Sequence, residues 1–384
     1  MEKLKEEKVS ESDTIQIPAD VLIDIFSRIP AKSIARLRCV SKLWRSIPVL
    51  PGFTELFLTK SLPRPRLLFA VVVNGDLLFF SSPQPQNPAY NSCLVATRYK
   101  CFPSHHPSVI CPPLRGLVFH RGTAGKERVI CNPATGESIT LPEVKAKCIS
   151  GENFFGYDPI NKQFKVLCKI LSRHGGGGAN THRVLTLETG KLIWRRTMEC
   201  KPHSDRYGEI CINGVLYYGA HIKGSCVIVC FDFCSEKFSF VKIHEEMSDG
   251  TLINYKGKLG VLLVKHGCEV VLWVLEEDSG KQIWSDKGIS VGLSSYGEIG
   301  KDIHIVGMTE AGEIVFSPYS QSNPFYLFYF KLESNTFTKV NIHMQGFEEF
   351  KDPNISPHIF LDYAENMKRL QVCSEHGCFC KCAS

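Results

Sequence analysis

The stretch IPADVLIDIFSRIPAKSIARLRCVSKLWRSI, residues 17–47, carries the clearest helical period in this 384-residue sequence. Its apolar residues recur at intervals of three and four, which is typical of one face of an amphipathic helix. Pro18 fits a first helical turn, and Pro30 lies just past the apolar stripe, where it ends the helix. Ser33 and Ser41 are candidate N-caps of a second and a third short helix. Three such helices bury too little surface to be stable alone, so we expect this block to pack against the rest of the chain or against a partner.

This helical block resembles the F-box, a short motif that docks onto Skp-type adaptors of cullin–RING ubiquitin ligases. The matching residues are Ile17-Pro18, Leu22, Ile25, Ile29-Pro30, Lys32-Ser33, Arg36, Cys39-Val40, Ser41-Lys42 and Trp44. The resemblance implies a helix-in-groove ligand whose apolar core is completed by its partner. The adaptor-binding residues expected from the stripe and the resemblance are Ile17, Pro18, Val21, Leu22, Ile25, Phe26, Ile29, Pro30, Ser33, Ile34, Leu37, Val40 and Trp44. Among them, Ile25 and Phe26 are expected to have no partner within the block itself. The alternative is an ordinary helical hairpin that packs on its own domain.

Positive charge is concentrated in the same block, which holds six basic residues and no acidic residue from Arg28 to Arg45. The resemblance implies that this run complements an acidic adaptor and mainly speeds association. A solvated basic face is the alternative. Nucleic acid is disfavoured, because no aromatic platform or second basic cluster accompanies the run and the net charge of the chain is only +6.

Beyond about residue 58 the sequence consists of short strands in a weak repeat. Strands open near Gly75, Gly116, Val166, Gly214, Gly257 and Gly312. Polar turns follow at Thr135-Gly136, Thr189-Gly190, Ser235-Glu236, Ser279-Gly280 and Ser334-Asn335, which are 54, 46, 44 and 55 residues apart. This period is typical of kelch-like propeller blades, so we predict a mainly β fold: a small N-terminal α-helical F-box followed by a kelch-like β-propeller of six units. The strands RLLFAVVV (66–73) and HIFLDY (358–363) are expected to close the ring. A pair of β-sandwiches, with denser strand spacing, is the alternative.

A second resemblance covers about Arg115 to Lys287, where the motifs look like those of the plant F-box-associated domain, type 3. The motifs are NPATGESITLP, GYDPINKQFKVL, VLTLETGKLIWR, EICINGVLYYGA, IVCFDFCSEKFSF, LINYKGKLGVL and LWVLEEDSGKQIWSDK. Arg115 departs from the family pattern, which usually has Asn there, and we expect that strand end to be less tightly held. The expected organisation is a disordered tail (1–14), an F-box (15–60), an F-box-associated β-propeller-like domain (61–372) and a disordered Cys-rich tail (373–384).

No motif in the sequence indicates catalysis, a cofactor or a metal. The segment HGGGGAN lacks the helix and the Lys-Ser/Thr pair of a phosphate-binding loop. Cys226, Cys230 and Cys234 share one strand face, but residues four apart on a strand lie about 13 Å apart, too far for one tetrahedral zinc. We therefore interpret them as core thiols. The tail CSEHGCFCKC has no standard zinc spacing, and soft-metal binding is its alternative.

The remaining composition bears on the compartment and the function. The charged first residues predict no secretory signal, and no apolar run is long enough to span a membrane. With 17 scattered cysteines, a reducing compartment, cytoplasm and/or nucleus, is expected. The resemblances imply a substrate-recognition subunit of a Skp–cullin–F-box ubiquitin ligase, non-catalytic, with an unknown protein target and without a nucleic-acid or membrane partner. An adaptor-binding interaction protein with no degradation role is one alternative. A propeller enzyme, with copper or another centre, is a weaker one, because the histidines are dispersed.

Overall fold

The computed structural model describes residues 17–89, 91–103, 105–122, 127–144, 149–171, 181–187, 191–196, 199–265, 269–278, 280–288, 291–292, 303–319, 325–347 and 356–370. Its first part, the helical domain (residues 17–61), contains four α-helices and a 3-10 turn, Ile47–Val49, between the third and the fourth. The helices are α1 Ala19–Arg28, α2 Ala31–Leu37, α3 Lys42–Ser46 and α4 Phe53–Ser61. None of the helices in the described ranges is long and apolar enough to cross a membrane.

The ends of the helices follow the sequence signals with one exception. Pro18 is the N-cap of α1, and the extended backbone of Ile29 ends that helix before Pro30. Ser41 caps α3 as predicted, since its hydroxyl accepts the Trp44 N–H at 3.1 Å. The prediction that Ser33 caps the second helix is wrong. Pro30 occupies the N-cap of α2 instead, and its carbonyl accepts the Ser33 N–H at 2.9 Å as part of the first helical turn.

The second part, the β-domain (residues 66–370), consists of sheets in which almost all described strand pairs are antiparallel. One eight-stranded sheet contains β1 Arg66–Val73, β2 Asp76–Pro83, β3 Ser92–Phe102, β21 Ile303–Met308, β22 Glu313–Pro318, β23 Phe325–Lys331, β24 Thr336–Met344 and β25 His358–Tyr363. A four-stranded sheet contains β4 Pro107–Ile110, β5 Val118–Gly122, β6 Arg128–Asn132 and β7 Glu137–Thr140. A second four-stranded sheet contains β8 Ile149–Asp158, β9 Gln163–Leu171, β10 Thr181–Thr186 and β11 Arg195–Arg196. A third four-stranded sheet contains β12 Ser204–Ile212, β13 Val215–Ile222, β14 Ser225–Asp232 and β15 Lys237–Lys242. A five-stranded sheet contains β16 Thr251–Tyr255, β17 Lys258–Lys265, β18 Glu269–Asp278 and β19 Lys281–Asp286, with β20 Val291–Gly292 paired to β18.

The two ends of the β-domain meet in one sheet, which closes the ring. β1 pairs antiparallel with β25, with Phe69 opposite Ile359, so the predicted closure by RLLFAVVV and HIFLDY is confirmed. The eight-stranded sheet consists of two four-stranded runs joined by a parallel pair of β24 and β3. Contacts of β8 with β12, β12 with β16, β16 with β21 and β21 with β25 place these strands around the centre. The fold is therefore propeller-like. The described strands group into six four-stranded units, which is compatible with the predicted number, but two units share one sheet and the blade count stays a prediction.

The predicted strand-opening glycines occupy tight turns with positive φ. At Asn213-Gly214 and Lys256-Gly257 both turn residues have positive φ, the type I′ geometry that suits a two-residue hairpin. One of these glycines occupies a different position in its four-stranded unit. Gly75 precedes β2, the third strand of its unit, whereas the other glycines precede the second strand of theirs. The reason is ring closure, because β25 from the C-terminal end supplies the first strand of the unit that contains Gly75.

Two tryptophans occupy equivalent positions in different units. The Trp194 indole N–H donates to the Pro142 carbonyl at 2.8 Å, and the Trp284 indole N–H donates to the Lys242 carbonyl at 2.9 Å. In each case the acceptor belongs to the end of the preceding unit, so the two indoles tie neighbouring units together. Both side chains are half-buried rather than fully buried.

The cysteines of β14 and the turn after it differ in their surroundings. Cys230 is buried, and burial raises the pKa of its thiol to about 11. Cys226 and Cys234 are only half-buried, so the interpretation of all three as core thiols is correct for Cys230 alone.

Candidate functional site

Helix α1 has one buried and one exposed apolar side. Leu22 and Phe26 are buried in a core that also contains Ala31, Ile34, Ile47, Phe53 and Phe57. The other side of α1 presents Val21 and Ile25, and Ile17 lies two residues before the helix; each of the three is 42–45% exposed. Residues four apart on a helix lie on one face, so Val21 and Ile25 form a continuous apolar strip. We call Ile17, Val21 and Ile25 the exposed strip.

The structure corrects the expectation for Phe26. Its side chain is fully buried, and its ring meets the Trp44 ring edge-on, with centroids 5.5 Å apart. Phe26 therefore has partners within the helical domain, contrary to the prediction. The physical reason is α4, whose Phe53 and Phe57 close a core that three helices alone would leave open.

The other predicted adaptor-binding residues lie in several environments. Leu22 and Ile34 point into the core with Phe26, so these three side chains have no free apolar surface in this conformation. Val40 is 63% exposed, and its neighbour Leu43, which the sequence analysis did not include, is 48% exposed. The remaining predicted residues divide between half-buried and exposed. Ile29, Ser33, Leu37 and Trp44 are half-buried, and Pro18 and Pro30 are exposed.

A buried carboxylate anchors the helical domain to the β-domain. Glu365, just after β25, accepts the Ala31 N–H at 3.0 Å and the Tyr99 hydroxyl at 2.6 Å. Ala31 is the first residue of α2, where a helix has no carbonyl of its own to offer that N–H. Burial and the charge of Glu365 raise the pKa of the Tyr99 hydroxyl far above its usual value, so it stays a donor. This anchor carried no local signal in the sequence.

Arg115 supplies a second link between the two domains. Its guanidinium lies 3.5 Å from the Glu55 carboxylate of α4 and 4.3 Å from the centre of the Tyr157 ring. Its backbone carbonyl accepts the side-chain amide of Asn366 at 2.6 Å. The expectation of a loosely held strand end at Arg115 is therefore wrong. The partly exposed ion pair by itself contributes little, and the backbone hydrogen bond fixes the position.

The junction also leaves two cavities between the domains. The larger, about 430 Å³, is lined by Ile29 and Pro30 of the helical domain and by Arg66 and Glu365 of the β-domain. Ile29 and Pro30 thus face the junction rather than the exposed strip. The smaller, about 270 Å³, lies beside α2 and is lined by Lys32 and Arg38 of the basic run.

The basic run is thus divided among different neighbours. Arg28 donates to the Asp24 carboxylate at 2.8 Å, which lowers the pKa of that carboxyl group. Lys32 and Arg38 line the smaller cavity, so they are directed toward the β-domain. Part of the positive charge that the sequence analysis associated with an adaptor therefore belongs to the junction.

No group of three or more His, Cys, Asp or Glu side chains in the described part of the chain is arranged to hold a metal ion. The HGGGGAN segment and the Cys-rich tail lie outside the described residues.

Comparison with known proteins agrees with this two-part architecture. The F-box domain model matches residues 15–55, and the model of the F-box associated beta propeller domain matches residues 66–364, well over half of the chain. The chain belongs to this family of F-box proteins. Two Arabidopsis thaliana relatives extend over most of its length. F-box protein DOR is 47% identical over 372 residues, covering 92% of this chain and 93% of the relative. F-box protein At1g53790 is 46% identical over 371 residues, covering 92% of this chain and 81% of the relative.

Among solved structures, the crystal structure of TolB from Acinetobacter baumannii is similar to this F-box protein with a TM-score of 0.45 and 10% identity. The similarity covers 84% of this chain and 73% of TolB.

Proposed function

We propose that this F-box protein is the substrate-recognition subunit of a Skp–cullin–F-box ubiquitin ligase. The observation that carries the proposal is the exposed strip on a helix whose opposite side already has a complete core. Exposed apolar residues grouped on one helix face are typical of a helix-in-groove contact with a partner protein. The partner on this side is a Skp-type adaptor, through which the chain reaches a cullin–RING ligase.

The complete core refines the expected mode of docking. The side chains of Leu22, Phe26 and Ile34 hold α1 in place from within, so the strip is formed before the adaptor arrives. A preformed surface loses little conformational entropy on binding. The adaptor contact is therefore proposed for Ile17, Val21 and Ile25, with Val40 and Leu43 as a second exposed group, rather than for the buried residues.

The topology supports a capture surface for the target on the side of the β-domain away from the helical domain. Antiparallel strands place alternate connections at opposite ends of a sheet. The end that contacts the helical domain, through Arg115 and Ala134, has connections as short as 213–214, 256–257 and 332–335. At the opposite end the turn 223–224 is equally short, but the described connection 243–250 is longer. Long surface connections on a rigid scaffold are where proteins carry recognition residues.

Tyr319 is a candidate contact residue on that side. It follows β22 at the long-connection end, is 67% exposed, and lies beside the His304 ring with centroids 5.0 Å apart. Tyrosine is enriched among the residues that contribute most to protein interfaces. In this proposal the chain supplies binding alone, since ubiquitin transfer occurs on other subunits. A reducing compartment, cytoplasm and/or nucleus, suits the free thiols.

Reconstitution tests the proposal directly. The full chain, a Skp-type adaptor and a cullin–RING ligase are purified together from a plant extract, and captured proteins are assayed for ubiquitination. Tyr319→Ala should reduce target capture and leave adaptor binding intact. Ile160→Ala is the matched control, because Ile160 is similarly exposed but lies at the end of the β-domain that faces the helical domain. A stable adaptor complex that captures and modifies no protein would instead favour an interaction protein with no degradation role.

A further inference from the structure

The smaller junction cavity is strongly basic on both of its walls. Lys32 and Arg38 come from the helical domain, and Arg98, Lys100 and Arg369 come from the β-domain. Among the described residues of the lining, the one acidic residue is Glu137, whose carboxylate accepts the Leu370 N–H at 2.9 Å. The lining therefore carries five positive charges against one negative charge.

Glu137 is the one counter-charge among the described residues of the lining, and it does not pair directly with these cations. In the part of the chain that the structure describes, none of the five forms an ion pair with an acidic residue. Like charges that converge on a concave surface create a positive potential that attracts anions. Two domains that meet through uncompensated positive charge also repel one another at that point, which the anchor at Glu365 has to overcome.

A second observation also points to a ligand. The Nε–H group of Arg38 is buried and has no hydrogen-bond partner among the residues that the structure describes. Buried donors are almost always satisfied, so an unpaired one beside a cavity is consistent with an acceptor bound in that cavity. Lys100 is placed on the opposite wall, where its stem lies against Gly136. A Cβ atom at Gly136 would come within 2.4 Å of Lys100 Cγ, so the glycine makes room for this lysine.

We propose that this cavity binds a small soluble anion with at least two phosphate groups, held between the F-box and the β-domain. Guanidinium and ammonium groups together are the side chains that recognise phosphate oxygens. A volume of about 270 Å³ is small for a ligand pocket, which favours a compact oligophosphate over a polymer. The bound anion would link Lys32 and Arg38 to the cations of the β-domain. It would thereby fix the orientation of the exposed strip relative to the capture surface. The site does not depend on the proposed ubiquitin-ligase role.

Calorimetric titration of the full chain with tripolyphosphate, pyrophosphate and inorganic phosphate, at constant ionic strength, tests this proposal. Tripolyphosphate should bind at one site, at least tenfold more tightly than inorganic phosphate, and should raise the melting temperature. The double variant Arg38→Gln/Arg98→Gln should weaken tripolyphosphate binding at least tenfold. Arg36→Gln/Lys237→Gln removes the same charge from exposed positions outside the cavity and should change the affinity less than twofold.

A second variant, Lys100→Gln/Arg369→Gln, changes only exposed residues of the lining. It keeps the proposal testable if Arg38→Gln/Arg98→Gln does not fold. It should also weaken binding at least tenfold. Three results would overturn the proposal. One is the absence of saturable tripolyphosphate binding. Another is equal weakening in the cavity and control variants, which would show attraction to diffuse surface charge. The third is tighter binding of a single-stranded RNA or an acidic peptide than of tripolyphosphate, since a polymer does not fit the cavity.

Discussion

Removing the Glu365 carboxylate should loosen the helical domain from the β-domain. This side chain is only 5% exposed and accepts two hydrogen bonds, from the Ala31 N–H at 3.0 Å and the Tyr99 hydroxyl at 2.6 Å. Glu365→Ala leaves both donors without an acceptor. A buried donor left unpaired costs about 1–3 kcal/mol, so the loss of an acceptor for two donors should weaken the local contact by at least about 2 kcal/mol. Glu365→Gln keeps one acceptor oxygen and should cost less than Glu365→Ala.

Hydrogen exchange at the Ala31 amide measures this change, because local opening of the contact exposes that group to solvent. At about 1.4 kcal/mol for each factor of ten, exchange in Glu365→Ala should rise at least about 30-fold over the wild type. Glu333→Ala, which removes an exposed carboxylate in the turn between β23 and β24, is the matched control and should leave that rate unchanged. If Ala31 in Glu365→Ala exchanges at the wild-type rate, Glu365 does not hold the two domains together.

Two further predictions concern the β-domain. Trp284→Phe removes the indole donor to the Lys242 carbonyl and should lower the free energy of unfolding by about 1 kcal/mol in a denaturant titration, whereas no change would mean that this link between units adds no stability. Burial raises the pKa of the Glu209 carboxyl from 4.5 to about 7 even though part of its surface is open, so the folded protein holds this proton more tightly than the unfolded chain does. The resulting stability is present below about pH 4.5 and is lost as the pH rises through 7. Glu209→Gln should therefore reduce the fall in melting temperature between those two pH values, and a pH profile identical to that of the wild type would contradict the assignment.

The parts of the fold that depend on local pattern were predictable from the sequence. The three- and four-residue spacing located α1, and the recurring glycines located hairpin turns such as Asn213-Gly214. The register of Gly75 was not predictable from that repeat. Its unit takes a strand from the far end of the chain, and local spacing carries no information about such a pairing.

The candidate site was predictable only in part, for a similar reason. Periodicity shows that Val21, Leu22, Ile25 and Phe26 are apolar, but the choice between the inner and the outer side depends on what packs against the helix. Phe53 and Phe57 of α4 pack against Leu22 and Phe26, and these contacts determine which side of α1 is buried. The sequence gives little sign of this packing, because α4 has no pronounced apolar stripe of its own. The anchor is still less accessible to sequence reasoning, because Ala31 and Glu365 are 334 residues apart.

The most direct test of the central claim is the affinity of the full chain for a purified Skp-type adaptor, measured by calorimetry for the wild type and for Val21→Asp/Ile25→Asp. Because two charges would enter an apolar interface, we predict a loss of at least a hundredfold, about 2.7 kcal/mol, with an unchanged melting temperature. Phe26→Ala is the contrasting control, since truncation of a fully buried ring should cost about 3–5 kcal/mol of stability in the helical domain. A Val21→Asp/Ile25→Asp variant that binds the adaptor as tightly as the wild type would contradict the assignment of the exposed strip as the docking surface.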